Sequence, residues 1–274
     1  MRIPRVACIN DLSGFGRCSL TTAVSVISAA GVQACPVPTA VLSKHTGFPS
    51  YYFADLTNNM PPYLDNWHDL EFDAIYSGFL GSSEQIEIVE DFIFRQKEKN
   101  DTVKIIVDPV MGDHGRLYAT YTDEMNRLMK RLVTHADLIT PNITEACFLT
   151  ENKYSGEDIS DEEAKSLLEQ LHALGCRQVV LTGIVRDERM INMTLDENGF
   201  STDTLHRESQ VFSGTGDLFA SVMCAQILKG NSLPQAVNAA GEFISKAIDY
   251  TIKAETPLSE GVVFEPLLYT LGKQ

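Results

Sequence analysis

A chain of 274 residues with 44% hydrophobic side chains can fill a sizeable core, and 37 acidic against 22 basic residues leave a formal charge of −15. A surface that acidic repels nucleic acid and anionic lipid, and no block of Lys or Arg reverses it locally, so neither is expected as a partner. Six cysteines, at 8, 18, 35, 147, 176 and 224, form no C-x-x-C pair and no zinc-spaced cluster with histidine, which disfavours a metal finger and points to a reducing cytoplasm.

Met1-Arg2-Ile3-Pro4-Arg5 runs straight into a strand-like segment with no secretory character. Residues 6–9 read as a short buried strand, 19–30 as a helix ended by Gly31, and 37–42 as a second strand. The charge-free stretch 18–43 contains Gly31, Gln33, Pro36 and Pro38, so it reads as a buried helix and strand rather than a membrane span. Residues 44–70, rich in Tyr, Asn, Pro and His, fit no regular period and are expected as a lid or substrate-facing excursion.

Strands are expected at 74–76 and 105–107, separated by a helix over 82–99 whose Ser82-Ser83-Glu84 start suits capping. A strand at 138–139 precedes a helix through 145–149. Ser160-Asp161-Glu162-Glu163 opens a helix to about residue 174, Gly175 stops it, and 179–181 is the next strand. Segments 190–195 and 200–205 flank Asp196-Glu197-Asn198-Gly199, a hairpin signal. One helix follows Asp217 and another spans 234 to about 253. Alternating apolar strands and amphipathic helices predict an α/β fold on a mostly parallel sheet. No repeat or linker divides the chain, so 1–274 is expected to be one domain.

Ligands of open parallel sheets bind beyond the carboxyl ends of the strands. Each expected strand here ends in a polar turn: Asn10-Asp11-Leu12-Ser13-Gly14, Ser43-Lys44-His45-Thr46-Gly47, Ser77-Gly78-Phe79-Leu80-Gly81, Asp108-Pro109-Val110-Met111-Gly112-Asp113, Thr140-Pro141-Asn142-Ile143-Thr144-Glu145 and Thr182-Gly183. Gly14-Phe15-Gly16-Arg17-Cys18-Ser19 nearly spells a dinucleotide fingerprint, but the third Gly is Ser and no acidic residue follows before Ala54. A G-x-x-x-x-G-K-[ST] loop is absent. Gly214-Thr215-Gly216-Asp217 instead opens an apolar helix, and such a turn aims backbone N–H groups at an anion. A carboxylate there suits a base that takes a proton from an attacking hydroxyl. Read alone, Asp217 is equally a helix cap, Asp113 and Glu145 are solvated acids, and His45 is a structural histidine.

Taken in order, S-K-H-T, S-G-F-L-G, D-P-V-M-G-D, T-P-N with Glu145, and G-T-G-D resemble the ribokinase-type fold, a three-layer α/β/α architecture, and within it the vitamin B6 (pyridoxal) kinases over nearly the whole chain. The resemblance implies MgATP-dependent phosphorylation of the 5′-hydroxymethyl group of pyridoxal, pyridoxine or pyridoxamine, by a homodimer. It implies Asp217 as base, with Gly214, Thr215 and Gly216 as the anion hole. Asp108, Asn142, Glu145, Thr182, Gly183, Phe212, Thr215 and Gly216 fall on the ATP set. Asp11, Ser13, His45, Thr46, Phe79, Tyr118 and Asp217 fall on the substrate set. Asp113 and Glu145 fall on magnesium positions, and Thr140 and Thr182 on those of a monovalent cation, K+ or Na+. Two positions depart from the pattern: Asp11 stands where a Ser is common, and Phe79 where a Tyr is frequent. A carboxylate facing the ring favours an amino or cationic substrate over an aldehyde. The Asp11-Leu12-Ser13-Gly14 run also resembles hydroxymethylpyrimidine kinases of thiamine synthesis, the same-class alternative. A nucleotide-binding regulator without turnover is the alternative of another class.

Overall fold

The computed structural model describes residues 2–206 and 212–273. Its strands are β1 (Arg5–Ser13), β2 (Gln33–Leu42), β3 (Phe53–Asp55), β4 (Ala74–Ser77), β5 (Lys104–Val107), β6 (Gly112–Asp113), β7 (Arg116–Leu117), β8 (Leu138–Ile139), β9 (Gln178–Arg186), β10 (Arg189–Asp196) and β11 (Gly199–His206). Its helices are α1 (Ser19–Ala29), α2 (Met60–Asp65), α3 (Ser83–Lys99), α4 (Asp123–Val133), α5 (Ile143–Thr150), α6 (Asp161–Ala173), α7 (Thr215–Leu228) and α8 (Leu233–Lys253).

Nine strands form one sheet in the order β11-β10-β9-β8-β5-β4-β1-β2-β3, and β6 pairs with β7 apart from it. The six strands from β9 to β2 run parallel, while β10, β11 and β3 are antiparallel additions. Side chains of β1 alternate between the two faces. Ala7 and Ile9 join a core with α3, α4, α5 and α6, whereas Val6 and Cys8 join one with α1, α7 and α8. This is the three-layer α/β/α arrangement that the resemblance implies, on the mostly parallel sheet that the alternating pattern predicts. The 196–199 hairpin is present as well, with Asp196 opposite Gly199.

Several elements differ from expectation, each for a local reason. The segment 44–70 is more regular than its composition suggests, because Pro61 and Pro62 occupy the opening turn of α2, where a missing N–H costs nothing. Helix α4 was not anticipated, although Met125, Leu128, Met129 and Leu132 recur at helical spacing and Thr122 caps it by accepting from the Met125 N–H. β2 begins earlier than expected and contains Pro36 and Pro38. It tolerates them because β3 joins it only at Ala40, Val41 and Leu42, leaving that edge open beside the prolines.

β9 carries an extra residue where Ile191 faces Ile184 but Met193 faces Leu181, a bulge at Thr182-Gly183 with φ +78° at the glycine. Polar strand ends and helix starts are thereby gathered along one edge of the sheet.

Phe92, on the sheet-facing side of α3, is 1% exposed and packs edge-on against Phe72, centroids 6.0 Å apart. Phe92→Ala is expected to lower stability by about 3–5 kcal/mol, read as the urea midpoint at constant m. A loss under about 1 kcal/mol removes Phe92 from the core account.

Candidate active site

The two ends of the chain meet where β1 stops and α7 starts. Gly214 precedes α7 in the left-handed region at φ +80°, and a Cβ there would lie 1.9 Å from the Arg17 carbonyl oxygen. Only glycine meets both conditions. Gly216, on the first turn of α7, has nothing within 4 Å of where its Cβ would be. The space beside the first turn of α7 is thus open, at the end of a helix that favours an anion.

Asp217, in the same turn, accepts from the Asn10 amide at 3.2 Å and from the Ser19 backbone N–H. Surrounding protein desolvates its carboxyl, although part of the residue stays open to the cleft, and this pushes it up to about 6. The Asp11 charge acts in the same direction, while the two hydrogen bonds oppose it.

Asp108, just past β5, is 6% exposed and accepts from the Thr140 hydroxyl at 3.0 Å. Burial, then the charge of Asp217, holds it up at about 7. Glu145 sits in the first turn of α5 and closes a capping box with Asn142. Its two oxygens accept the Met111 and Asn142 N–H groups at 3.2 and 2.9 Å. Burial and Asp108 still push it well above the usual carboxylate range. The Asn142 amide reaches the Gly112 carbonyl at 3.0 Å, and the Thr182 N–H reaches the Pro141 carbonyl at 2.9 Å, so α5, β6 and the β9 bulge form one wall. Tyr118 is exposed, yet its phenol feels Glu145, Asp113, Asp108 and Asp217 and is pushed upward after burial, the larger cause. These charges are all negative, and hard oxygen donors of this kind fit a magnesium ion.

Asp113 lies at the rim, with its carboxylate 3.6 Å from His114. Phe212 is 2% exposed and packed under α7 with the core, so what it offers a nucleotide is backbone. Phe79 is half-buried, and its N–H is bound by Asn10 at 2.9 Å. Thr46 is exposed, but its neighbour His45 turns inward. His45 accepts the Gly47 N–H at Nδ1 (3.1 Å) and donates from Nε2 to the Ser259 carbonyl (2.7 Å). Both nitrogens are committed within the protein. Asp11 is likewise committed: Ser13 and Ser19 hydroxyls donate to its two oxygens at 2.8 and 2.5 Å, and burial pushes it up. The charge expected to face an amino substrate is therefore internally compensated.

Asn10 and Ser19, which sequence reasoning passed over, hold Asp217 directly. The only signal for Asn10 was its place at a strand end.

A parallel α/β/α sheet, a glycine turn opening a helix toward an anion, and a carboxylate in that turn define an ATP-dependent kinase of the ribokinase-like class. The sequence model described as phosphomethylpyrimidine kinase matches residues 20–260, and the chain belongs to that family. A provisionally named phosphomethylpyrimidine kinase of Bacteroides thetaiotaomicron, crystallised with pyridoxal, superimposes with a TM-score of 0.94 at 39% identity, covering 98% of this chain and 96% of that one. Pyridoxal kinase from Lactobacillus plantarum gives a TM-score of 0.90 at 29% identity, covering 98% and 97%. The pyridoxine/pyridoxal/pyridoxamine kinase of Bordetella avium is 30% identical over 258 residues, 88% of this chain and 83% of that protein.

Gly214→Ala is expected to cut kcat by more than about 100-fold and to lower the melting temperature, because the turn must open to admit the methyl. Gly216→Ala, facing open space, leaves the melting temperature near its original value. Wild-type turnover and melting in Gly214→Ala would contradict this account of the turn.

Proposed function

We propose that the protein transfers the γ-phosphoryl group of ATP to the 5′-hydroxymethyl group of pyridoxal, pyridoxine or pyridoxamine. The observation that carries this reading is Asp217, a carboxylate held by Asn10 in the opening turn of α7, where Gly216 borders open space. Pyridoxal bound to the 39%-identical Bacteroides protein supports the substrate class.

In this reading Asp217 takes the alcohol proton as the alcohol oxygen bonds to the γ-phosphorus. The bond to the β–γ bridging oxygen breaks and ADP leaves. The N–H groups of Gly214, Thr215 and Gly216 hold the charge on the moving phosphoryl group, and positioning and neutralisation supply most of the catalysis. Asp113 and Glu145 would hold Mg2+, which when bound neutralises phosphate charge. Thr140 and Thr182, with Asp108 beside Thr140, would hold K+ or Na+. Asn142, Thr182, Gly183 and the Phe212 backbone face ATP. Thr46, Phe79 and Tyr118 face the ring, with Asp11, Ser13 and His45 bracing the loops that carry them.

We further propose that 1–274 acts as one domain with residues 44–70 over the substrate. Exposed Val41, Tyr52 and Phe53 on the β2–β3 edge support a homodimer. Six unpaired cysteines support the cytoplasm. Among the described residues no helix is long and apolar enough to cross a membrane. The family's own description favours a second reading, hydroxymethylpyrimidine as acceptor.

The test is an ATP-coupled assay of purified protein on the three B6 vitamers and hydroxymethylpyrimidine. A vitamer is expected to have the highest kcat/KM; a higher value for hydroxymethylpyrimidine selects the second reading. Asp217→Ala should lower kcat roughly 10²–10⁴-fold with ATP binding nearly intact. Turnover in that variant within a few-fold of wild type ends the role of Asp217 as base.

The pH dependence follows from the carboxyl of Asp217, held up to about 6 by burial. A base works ionised, so kcat/KM should fall by about tenfold per pH unit below that point and level off above it. A flat profile from pH 7 down to 5 would contradict it.

A further inference from the structure

We propose that Asn10 is the positioning residue of the base: its carboxamide fixes the Asp217 carboxylate and ties it to the segment carrying Phe79. The inference rests on the reading of Asp217 as base.

Asn10 lies near the carboxyl end of β1 and is 1% exposed. Its Oδ1 accepts two backbone donors, the Phe79 N–H at 2.9 Å and the Asp11 N–H at 3.0 Å. Those bonds determine which way the amide faces, since only the oxygen can accept. The NH2 is thereby turned to Asp217 Oδ1 at 3.2 Å, across 207 residues of sequence. An amide nitrogen has no lone pair to offer, so it holds an ionised carboxylate better than a protonated one.

The space is made by Gly78, where a Cβ would lie 2.3 Å from Asn10 Nδ2 and 2.8 Å from its Cγ. The second donor to Asp217 is the Ser19 N–H, from a residue in the left-handed region at φ +52°. Thus β1 and the start of α1 hold the carboxylate from two sides. The loop after β4 is bound to the same amide, so substrate-side and base-side segments share one side chain.

The bland alternative is that Asn10 only satisfies the N–H groups of Asp11 and Phe79. That role moves stability but not the proton affinity of the base. The ionisable groups whose charges act with Asp217 are Asp11 of β1, Cys18 before α1, Tyr76 of β4, Asp108 after β5, and Tyr118. All of these stay in the sequence when Asn10 is changed, and only Asp11 loses a contact to it, the N–H bond to Asn10 Oδ1. Gly78→Ala, which displaces the amide from the other side, is the check on that contact.

Two full-length variants test the proposal. Asn10→Ala removes the amide, and Gly78→Ala displaces it while leaving Asn10 and Asp217 in the sequence. In both, kcat is expected to fall about 10- to 100-fold with the KM for ATP within about threefold. The acid limb of kcat/KM should move up by about one pH unit, because loss of a donor to the charged form raises the pH at which the base ionises.

An unchanged kcat and acid limb in folded Asn10→Ala overturns the proposal. So does a fall in kcat with an unmoved limb, the signature of a bracing role alone. If Asn10→Ala does not fold, Asn10→Ser and Gly78→Ala decide by the same readouts. Asp217→Ala assayed in parallel separates the two claims. Near wild-type turnover there removes the base itself, whereas an inactive Asp217→Ala beside an unaffected Asn10→Ala removes only the role of Asn10.

Discussion

No side chain fits between the loop that enters α1 and the turn that enters α7. A methyl at Gly214 would collide with the Arg17 carbonyl, one at Gly16 with the His45 ring, and one at Gly261 would press on Arg17 and Ser213. Three glycines at positive φ therefore let segments from the start, middle and end of the chain share one small volume. The hydrogen bond from Asn10 to Asp217 depends on that close approach. The start of α7 depends on it too, because the Arg17 loop fixes the direction from which the helix begins.

The same closeness sets the electrostatics. Asp11, Asp108, Glu145 and Asp217 come from four elements and are each pushed upward, in every case first by burial. A carboxyl raised in the folded state above its unfolded value lends stability only while it keeps its proton. That contribution is full below the ordinary carboxylate range and is lost as pH rises through about 6 for Asp217 and about 7 for Asp108. At neutral pH the cluster is thus a strain that the two large cores must carry. Cations and a proton-donating alcohol relieve such a cluster, and a nucleotide brought in with its metal is the natural complement of these negative charges.

Much of this was legible in the sequence because buried parallel strands are written as short apolar runs and their helices begin with recognisable caps. Residues 105–107, 138–139 and the Ser160 capping box needed no tertiary information. The polar strand ends and the G-T-G-D turn are likewise legible in the sequence, and the fold brings Asn10 and Asp217 of these segments into hydrogen-bond contact. What escaped was set by contacts between distant segments. His45 looked like a ring-facing group, but its nitrogens are claimed by Gly47 and by Ser259, 214 residues away. Asp11 looked like a free charge, yet Ser19 reaches it only because Ser19 adopts a left-handed backbone. Thr182-Gly183 read as a turn after a three-residue strand, whereas pairing with β10 carries β9 through it as a bulge. Helix α4 is a different kind of miss, since its period was present and went unread.

The choice of acceptor is made away from the chemistry. A pyridine and a pyrimidine carrying a hydroxymethyl group present the same primary alcohol to Asp217 and the same phosphoryl path to the α7 turn. With Asp217 as the proposed base and the α7 turn as the proposed anion hole, neither can therefore tell them apart. Recognition must come from groups whose polar atoms are still unclaimed, and the internal bonds of His45 and Asp11 withdraw two of the polar groups in the cleft. Thr46 and Tyr118 remain exposed, and Phe79 offers only an apolar face because its N–H is held by Asn10. A site with few free polar groups discriminates weakly between isosteres, by shape more than by hydrogen bonding. One fold with one base can on that account serve both kinds of acceptor within a single family, and small changes at the rim are enough to turn one specificity into the other.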